Sequence, residues 1–400
     1  RYHARDAAAI LGVFTGCKLL LGTATPSFES LYNGASGKYG VVKLGQRYGE
    51  IALPRVVVAD IRQARKRKQM KSHFTPELLS AMEETLDAGR QVILFQNRRG
   101  YSNYLQCESC GHILRCIHCD VSLTYHRYDQ RLTCHYCGLQ APVPRACPEC
   151  HSATLNMRGF GTEKIEDELA IFFPETGVGR LDLDKARTRR AYDRLLGDFD
   201  AGKTRILVGT QLVTKGLDFG NVSLVGILDA DSMLNFPDFR AFERSFQLMT
   251  QVSGRAGRRD TQGQVVIQTM DPEHPVIRKV LAGDFDEFYR EQMEERQMFR
   301  YPPFVRLIRI TLRHEVPSIL DGGAAFLAGE LRKLLGNRVL GPQHPMIQRT
   351  HGAYIKQILL KIEKERSVET AKKATRDLLD AFGLNPVYKK IRVAVDVDPM

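Results

Sequence analysis

Short unbroken apolar runs alternate with amphipathic segments over much of the chain. Gln91-Val92-Ile93-Leu94-Phe95, Arg205-Ile206-Leu207-Val208-Gly209 and Ser223-Leu224-Val225-Gly226-Ile227-Leu228 are too short for buried helices. They are also too continuous for half-exposed strands. They predict strands covered on both faces. Between and after them lie helical segments near 162–171, 187–200 and from about Phe239, so a parallel sheet flanked by helices is expected. Thr75-Pro76-Glu77 opens an amphipathic helix with proline at its first position. Residues 1–33 predict a helix, a buried strand at Lys18–Gly22 and a second helix opened by Thr23-Ala24-Thr25-Pro26. A short strand is expected at Arg55–Asp60. The basic run Arg62, Arg65, Lys66, Arg67, Lys68 and Lys71 has no apolar period and is expected to be a solvated linker, with DNA contact as the alternative.

From Tyr301-Pro302-Pro303 the pattern changes. An alternating strand (Val305 to Leu312), a helix (317–335), strands near 338–341 and 354–363, a helix (367–382) and a closing strand (Arg392 to Val397) predict a ferredoxin-like α+β domain. Four hundred residues suit two or three domains. No apolar run approaches the ~20 residues of a membrane span, so no membrane partner is expected. The start carries no signal-peptide pattern. It reads as the interior of a helix or loop, and the chain is expected to be a piece of a longer protein. A net charge of +12 suggests a polyanionic partner, nucleic acid above all.

Eight of the nine cysteines form four Cys-x-x-Cys pairs: Cys107/Cys110, Cys116/Cys119, Cys134/Cys137 and Cys147/Cys150. Without a signal peptide, this spacing favours thiolate–metal chemistry in a reducing cytoplasm over disulfides. Two tetrahedral Zn²⁺ ions would use all eight thiolates. The polar turn between Cys119 and Cys134 predicts a hairpin that pairs Cys116, Cys119, Cys134 and Cys137. Cys107, Cys110, Cys147 and Cys150 are then left for an outer site. This nested pairing is expected, with the interleaved one as the alternative. Redox catalysis by the pairs lacks a thioredoxin-like strand–helix context. His112, His118, His126, His135 and His151 are expected to be bystanders.

Gly197-Asp198-Phe199-Asp200-Ala201-Gly202-Lys203-Thr204 matches a P-loop letter for letter. A phosphate cradle follows a strand and opens a helix, whereas here a helix precedes the glycines and a strand follows. A helix-terminating turn is expected instead. Gln251-Val252-Ser253-Gly254-Arg255-Ala256-Gly257-Arg258 is the stronger signal. It predicts two arginines three apart on a helix turn, suited to phosphoryl charge, with small spacers that admit a neighbouring backbone. Gly209-Thr210-Gln211 ends a buried strand, a position where open α/β sheets bind ligands, and leads to Lys215-Gly216-Leu217-Asp218-Phe219.

Taken together, Gly22-Thr23-Ala24-Thr25-Pro26, Gly209-Thr210-Gln211 with Lys215-Gly216 and Asp218-Phe219, and Gln251 with Gly254-Arg255 and Gly257-Arg258 resemble motifs III, V and VI of superfamily 2 helicases. The cysteines after Gln96-Asn97-Arg98-Arg99-Gly100-Tyr101 narrow the resemblance to the bacterial replication-restart helicases. Gly159-Phe160-Gly161-Thr162-Glu163 and Asp396-Val397-Asp398-Pro399 also look like that family. The resemblance covers essentially the whole chain.

That resemblance implies an α/β fold: a RecA-like lobe with an inserted double zinc-ribbon module and a C-terminal ferredoxin-like domain. The expected divisions are 1–60, the remainder of a first lobe; 61–74, the basic linker; 75–103 with 156–285, the second lobe; 104–155, the zinc module; and 300–400, the C-terminal domain. It implies an ATP-dependent 3′-to-5′ DNA helicase at stalled forks that starts primosome assembly. Arg255, Arg258 and Gln251 would serve ATP chemistry, and Gly216, Asp218, Thr23 and Thr25 the nucleotide site. Thr210, Gln211, Asn97 and Arg98 would contact DNA. The cofactors would be two Zn²⁺, with ATP and Mg²⁺ in the full-length protein. The partners would be forked and single-stranded DNA, single-stranded-DNA-binding protein and the machinery that loads the replicative helicase. A monomer in the bacterial cytoplasm, associated with the nucleoid, is expected. In this family the Walker A loop, the acidic Mg²⁺-binding box and the fork-binding domain belong ahead of Arg1, so this chain is not expected to hydrolyse ATP unaided. The competing reading is a non-enzymatic zinc-ribbon nucleic-acid-binding protein on an α/β scaffold. It would have no need of the Arg255 region.

Overall fold

A computed structural model describes residues 3–45, 54–96, 104–119, 121–126, 130–157, 162–181, 188–210, 219–257, 262–363 and 368–399. The chain divides into two compact units. One comprises Gly40–Leu114 and Pro144–Phe288, the other Arg1–Tyr39, Arg115–Val143 and Tyr289–Met400.

The first unit is built on a six-stranded sheet in the order Arg55–Asp60, Gln264–Thr269, Val222–Ile227, Gln91–Phe95, Ile206–Gly209, Val178–Leu181. Every neighbouring pair is parallel. Val92 and Leu94 pack on one face with Leu78 and Met82 of helix Pro76–Asp87 and Ile165 and Leu169 of helix Thr162–Phe172. Ile93 and Phe95 alternate to the other face and are equally buried. Burial on both faces is why these strands read as continuous apolar runs. The helix expected from Thr75-Pro76-Glu77 is present, and Thr75 caps it, its hydroxyl accepting from the Leu78 N–H at 3.4 Å. Strand Val178–Leu181 carries a weaker signal because it includes Gly179 and Arg180. The charge of Arg180 is met by Glu166 at 3.5 Å.

Three expectations are corrected here. Arg55–Asp60 belongs to the edge of this sheet, paired along its length with Gln264–Thr269, and so is not the remainder of another lobe. The basic run is no linker at its start, since Ile61–Lys66 is a helix with Ile61 and Ala64 buried. Asp60 caps that helix by accepting from the Arg62 and Gln63 N–H groups. Apolar positions three apart suffice for so short a helix, and the surrounding charges hide them. Lys18–Gly22 forms no ladder among the described residues, and Leu20 is 94 % exposed. An apolar run becomes a strand only where a neighbour takes up its backbone hydrogen bonds.

In the second unit, strands Val339–Gln343, Ala353–Glu363, Val305–His314 and Arg392–Val397 lie side by side, all antiparallel. In chain order this is 2-3-1-4, the ferredoxin-like arrangement. Helices Pro317–Leu335 and Val368–Leu384 pack on one face, where Ile308, Ile310, Leu312, Ile358, Leu360 and Ile362 meet Leu320, Leu327, Leu331 and Phe382. Helix Phe28–Ala35 belongs to the same unit. The Phe28 ring meets Tyr289 edge-on at 5.2 Å, and the buried Arg296 guanidinium lies 4.7 Å above the Phe28 ring and 3.4 Å from Glu29. Among the described residues no helix is long and apolar enough to cross a membrane.

The P-loop lookalike has the reversed polarity expected of it. Gly197 lies inside helix Arg189–Asp200, Gly202 follows at φ 73°, and strand Ile206–Gly209 comes next. Gly197 is exposed, and a Cβ there would meet nothing within 4 Å. Gly197→Ala is therefore expected to raise stability by about 0.5–1 kcal/mol in denaturant unfolding. A loss of stability would show that the glycine serves some other purpose.

Candidate metal centres and motor residues

The four cysteine knuckles share one backbone design. The N–H groups of Cys107, Cys116, Cys134 and Cys147 donate to the carbonyls of His112, Val121, Leu139 and Ser152, at 2.8–2.9 Å. Four residues after the first cysteine the chain turns left-handed, at Gly111 (φ 81°), Gly138 (φ 83°) and His151 (φ 57°). This turn folds each pair back so that both thiols face the same point.

The pairing is nested, as expected: Cys107, Cys110, Cys147 and Cys150 form one cluster, and Cys116, Cys119, Cys134 and Cys137 the other. In each, the four sulfur atoms lie within 4.8 Å of one another. Cys107–Cys150, Cys110–Cys147 and Cys116–Cys137 are 3.5–3.6 Å apart. That is far beyond a disulfide of about 2.05 Å. It is close to the edge of about 3.8 Å that a tetrahedron of Zn–S bonds near 2.3 Å requires. Thiols this close disturb one another. Contacts with Cys119 and Cys134 push Cys116 down, contact with Cys116 pushes Cys119 up, and Cys134 is pushed up to about 12, chiefly by Cys116. A shared divalent cation resolves the conflict by holding all four as thiolates. The donor set fits zinc. Among the described residues no histidine enters either cluster. His135 instead engages the His344 carbonyl through Nδ1 at 2.6 Å, and burial lowers its pKa to about 4.

The two clusters fall in different units, which corrects the expectation of one inserted zinc module over 104–155. The outer cluster belongs with the parallel sheet. Arg62 Nη1 donates to the Cys110 carbonyl at 2.9 Å, Arg65 lies 3.7 Å from Glu108, and a Cβ on Gly111 would stand 3.2 Å from the Met270 carbonyl. Strands Leu105–Cys107 and Leu155–Met157 close it. The inner cluster belongs with the ferredoxin-like domain and carries a three-stranded sheet, Thr124–His126, Arg131–Thr133 and Gln140–Pro142, which includes the expected hairpin. Tyr301 donates its hydroxyl to the Cys119 carbonyl at 2.8 Å. Burial lowers Lys361 to about 8, and the thiols of Cys119, Cys134 and Cys137 act in the opposite direction. These anchoring residues were not visible in the sequence, because they lie far from the cysteines along the chain.

Two of the residues expected to serve ATP or DNA, Arg255 and Thr210, lie at opposite ends of the strands of the parallel sheet. Helix Ala241–Ser253 stops before Arg255, so Arg255 is not on a helix turn as expected. Gly254 caps the helix, and Gly257, at φ 66°, donates its N–H to the Val222 carbonyl at the amino end of strand Val222–Ile227. Gly263 presses on the same turn from the other side. A Cβ there would lie 2.3 Å from the Ala256 carbonyl carbon and 2.4 Å from the Gly257 nitrogen. The Arg255 turn is thus fixed at the amino ends of two strands, with Gln251 on the last helical turn. Thr210 follows the carboxyl end of Ile206–Gly209, its N–H donating to the Leu181 carbonyl at 3.4 Å. In a parallel sheet those ends are a strand length apart, roughly 15–20 Å. Thr210 and Arg255 are therefore not brought together. Thr23 accepts from the Thr25 N–H at 3.1 Å in the other unit. Arg258, Gly216, Asp218, Gln211, Asn97 and Arg98 lie outside the described residues.

Asp231 was missed, although Asp229-Ala230-Asp231 directly follows a predicted strand. It is fully buried, accepts from the Thr269 hydroxyl at 3.0 Å and from the Met270 N–H at 2.7 Å, and joins two strand ends. Burial, with Asp229 nearby, raises its carboxyl to about 7.

Three family descriptions match the chain. Residues 297–400 match the primosomal protein N C-terminal domain, 116–142 the PriA DNA helicase Cys-rich region domain, and 161–260 the helicase conserved C-terminal domain. The chain is 39 % identical over 401 residues to replication restart protein PriA of Bacillus subtilis, covering 100 % of this chain and 49 % of the relative. It is 38 % identical over 410 residues to that of Chlamydia muridarum (100 % and 53 %), and 38 % identical over 403 residues to that of Haemophilus influenzae (100 % and 54 %). The chain spans about half the length of these curated relatives.

Elemental analysis of the purified chain is expected to give close to two zinc ions per molecule; one or none would refute the nested pair of sites. Gly263→Ala must displace backbone. It is expected to cost about 1–3 kcal/mol in denaturant unfolding. An unchanged midpoint would show that the Arg255 turn is not held from that side.

Proposed function

The chain belongs to the family of replication restart proteins PriA, and from that premise we propose an ATP-dependent 3′-to-5′ DNA helicase that acts at stalled or collapsed replication forks and initiates primosome assembly. The observation that carries this reading is the Arg255 turn. A region matching the helicase C-terminal domain holds the Arg255 turn between a helix end and the amino ends of two parallel strands, where Gly257 and Gly263 fix the backbone. A scaffold alone has no use for that precision.

ATP with Mg²⁺, when bound, supplies the phosphoryl group whose transfer to water drives the motor. Arg255 and Arg258 offer positive charge to the phosphates, where guanidinium acts by electrostatic stabilisation and needs no proton transfer. Gln251 serves the same chemistry. Gly216 and Asp218 complete the nucleotide site, and Thr23 and Thr25 respond to its state. Thr210, Gln211, Asn97 and Arg98 hold the DNA backbone, which gives affinity without sequence preference. The placement of Thr210 a strand length from Arg255 supports separate DNA and nucleotide sites. The net charge of +12 suits forked and single-stranded DNA. The protein partners are single-stranded-DNA-binding protein and the loading machinery of the replicative helicase. The protein acts as a monomer in the bacterial cytoplasm, at the nucleoid.

In the full-length protein, Arg255→Ala is expected to lower DNA-stimulated ATP turnover by about 10³-fold or more. Zinc content and fork binding should be unchanged. Normal turnover by this variant would remove the motor assignment and leave a zinc-containing DNA-binding protein.

A further inference from the structure

Lys361 is a buried cation in the sheet of the ferredoxin-like domain. It lies in strand Ala353–Glu363 between Leu360 and Ile362, whose side chains join the helix-covered core. Strand alternation turns Lys361 to the opposite face of the sheet. The residue is 8 % exposed. Its ammonium donates to the Phe299 carbonyl at 2.8 Å and lies 3.9 Å from the centre of the Tyr301 ring. Among the described residues no carboxylate pairs with it. Its cationic neighbour Arg300 is already paired with Glu363. Leaving an ammonium so buried is costly unless negative charge stands nearby.

The inner cysteine cluster supplies that charge. Four thiolates around one Zn²⁺ carry a net charge of two minus, and Cys119, Cys134 and Cys137 are close enough to act electrostatically on Lys361. Tyr301 joins the two, with its ring under the ammonium and its hydroxyl on the Cys119 carbonyl. Tyr136, inside the second knuckle of the same cluster, meets the Tyr301 ring at 6.2 Å.

We propose that Lys361 and Tyr301 are outer-sphere positioning residues of the inner zinc site, Lys361 as the counter-charge to the zinc–thiolate dianion and Tyr301 as the tie that orients the Cys119 knuckle. The inner site is then completed by the ferredoxin-like domain and retains its metal through that domain. This inference rests on zinc occupancy and is independent of the helicase reading. Loss of helicase activity would not bear on it.

The test is release of zinc from the loaded chain to a chromogenic chelator, resolved into its two ions. Cys150→Ser identifies the phase that belongs to the outer site. Lys361→Met keeps the length of the side chain and removes its charge. It is expected to speed release of the inner ion about tenfold, the size usual for loss of an outer-shell partner. The outer ion should leave at its normal rate. Lys361→Arg should restore most of the retention, and Tyr301→Phe should give a smaller acceleration of the same phase. With Co²⁺ in place of zinc, Lys361→Met is also expected to shift the thiolate-to-metal absorption bands of one site only. Unchanged release in Lys361→Met, or equal acceleration of both ions, would overturn the proposal. If Lys361→Met does not fold, Tyr301→Phe decides by the same readout, and normal inner-ion release in that variant overturns it.

Discussion

Four thiolates brought within bonding distance of one point repel each other unless a cation stands among them. This chain meets that condition twice, and the way it does so organises much of the fold. Closing the outer cluster brings Cys107/Cys110 to Cys147/Cys150. Everything between them becomes a closed loop, inside which the inner cluster forms around the hairpin. Two closures nested along the chain let the two sites belong to different units, one built on the parallel sheet and one on the ferredoxin-like domain. A single autonomous finger could not be divided this way.

Each cluster is held by groups its own unit supplies. The outer one takes a hydrogen bond from Arg62 and a close backbone approach at Gly111; the inner one takes the Tyr301 hydroxyl and lies near the Lys361 ammonium. In both, the carbonyl of the second cysteine in the first knuckle accepts the anchoring bond. Part of the basic surplus is structural, since Arg62 and Arg65 meet the segment that carries the outer cluster.

The parallel-sheet unit depends on a plainer constraint, close packing where strands begin. The Arg255 turn is set by the hydrogen bond from Gly257 to Val222 and by the lack of a side chain on Gly263. The spacing of QxxGRxGR is helical, yet the helix stops two residues before Arg255 because Gly254 caps it and the sheet takes the next free N–H. The strands of the sheet were legible from their apolar runs, except Gln264–Thr269 and Val178–Leu181, the latter with Arg180 in an ion pair with Glu166. The basic run was read as linker because two buried apolar positions, Ile61 and Ala64, are a weak periodic signal among so many charges. The reversed polarity of the Gly197 lookalike was legible, because helix and strand order are local properties.

The sequence by itself determined much of the chemistry of this protein: which cysteines group into metal-binding sets, where most strands of the two sheets run, and which glycine-rich stretch is not a phosphate cradle. Those features depend on spacing over a few residues and on side-chain type. Only the tertiary structure decided which domain each zinc site serves, which distant residues support it, and how far Thr210 lies from Arg255. The physical reason is distance along the chain. Tyr301 and Lys361 reach the inner cysteines across more than a hundred residues, and no local pattern records a contact that exists only once the chain has closed.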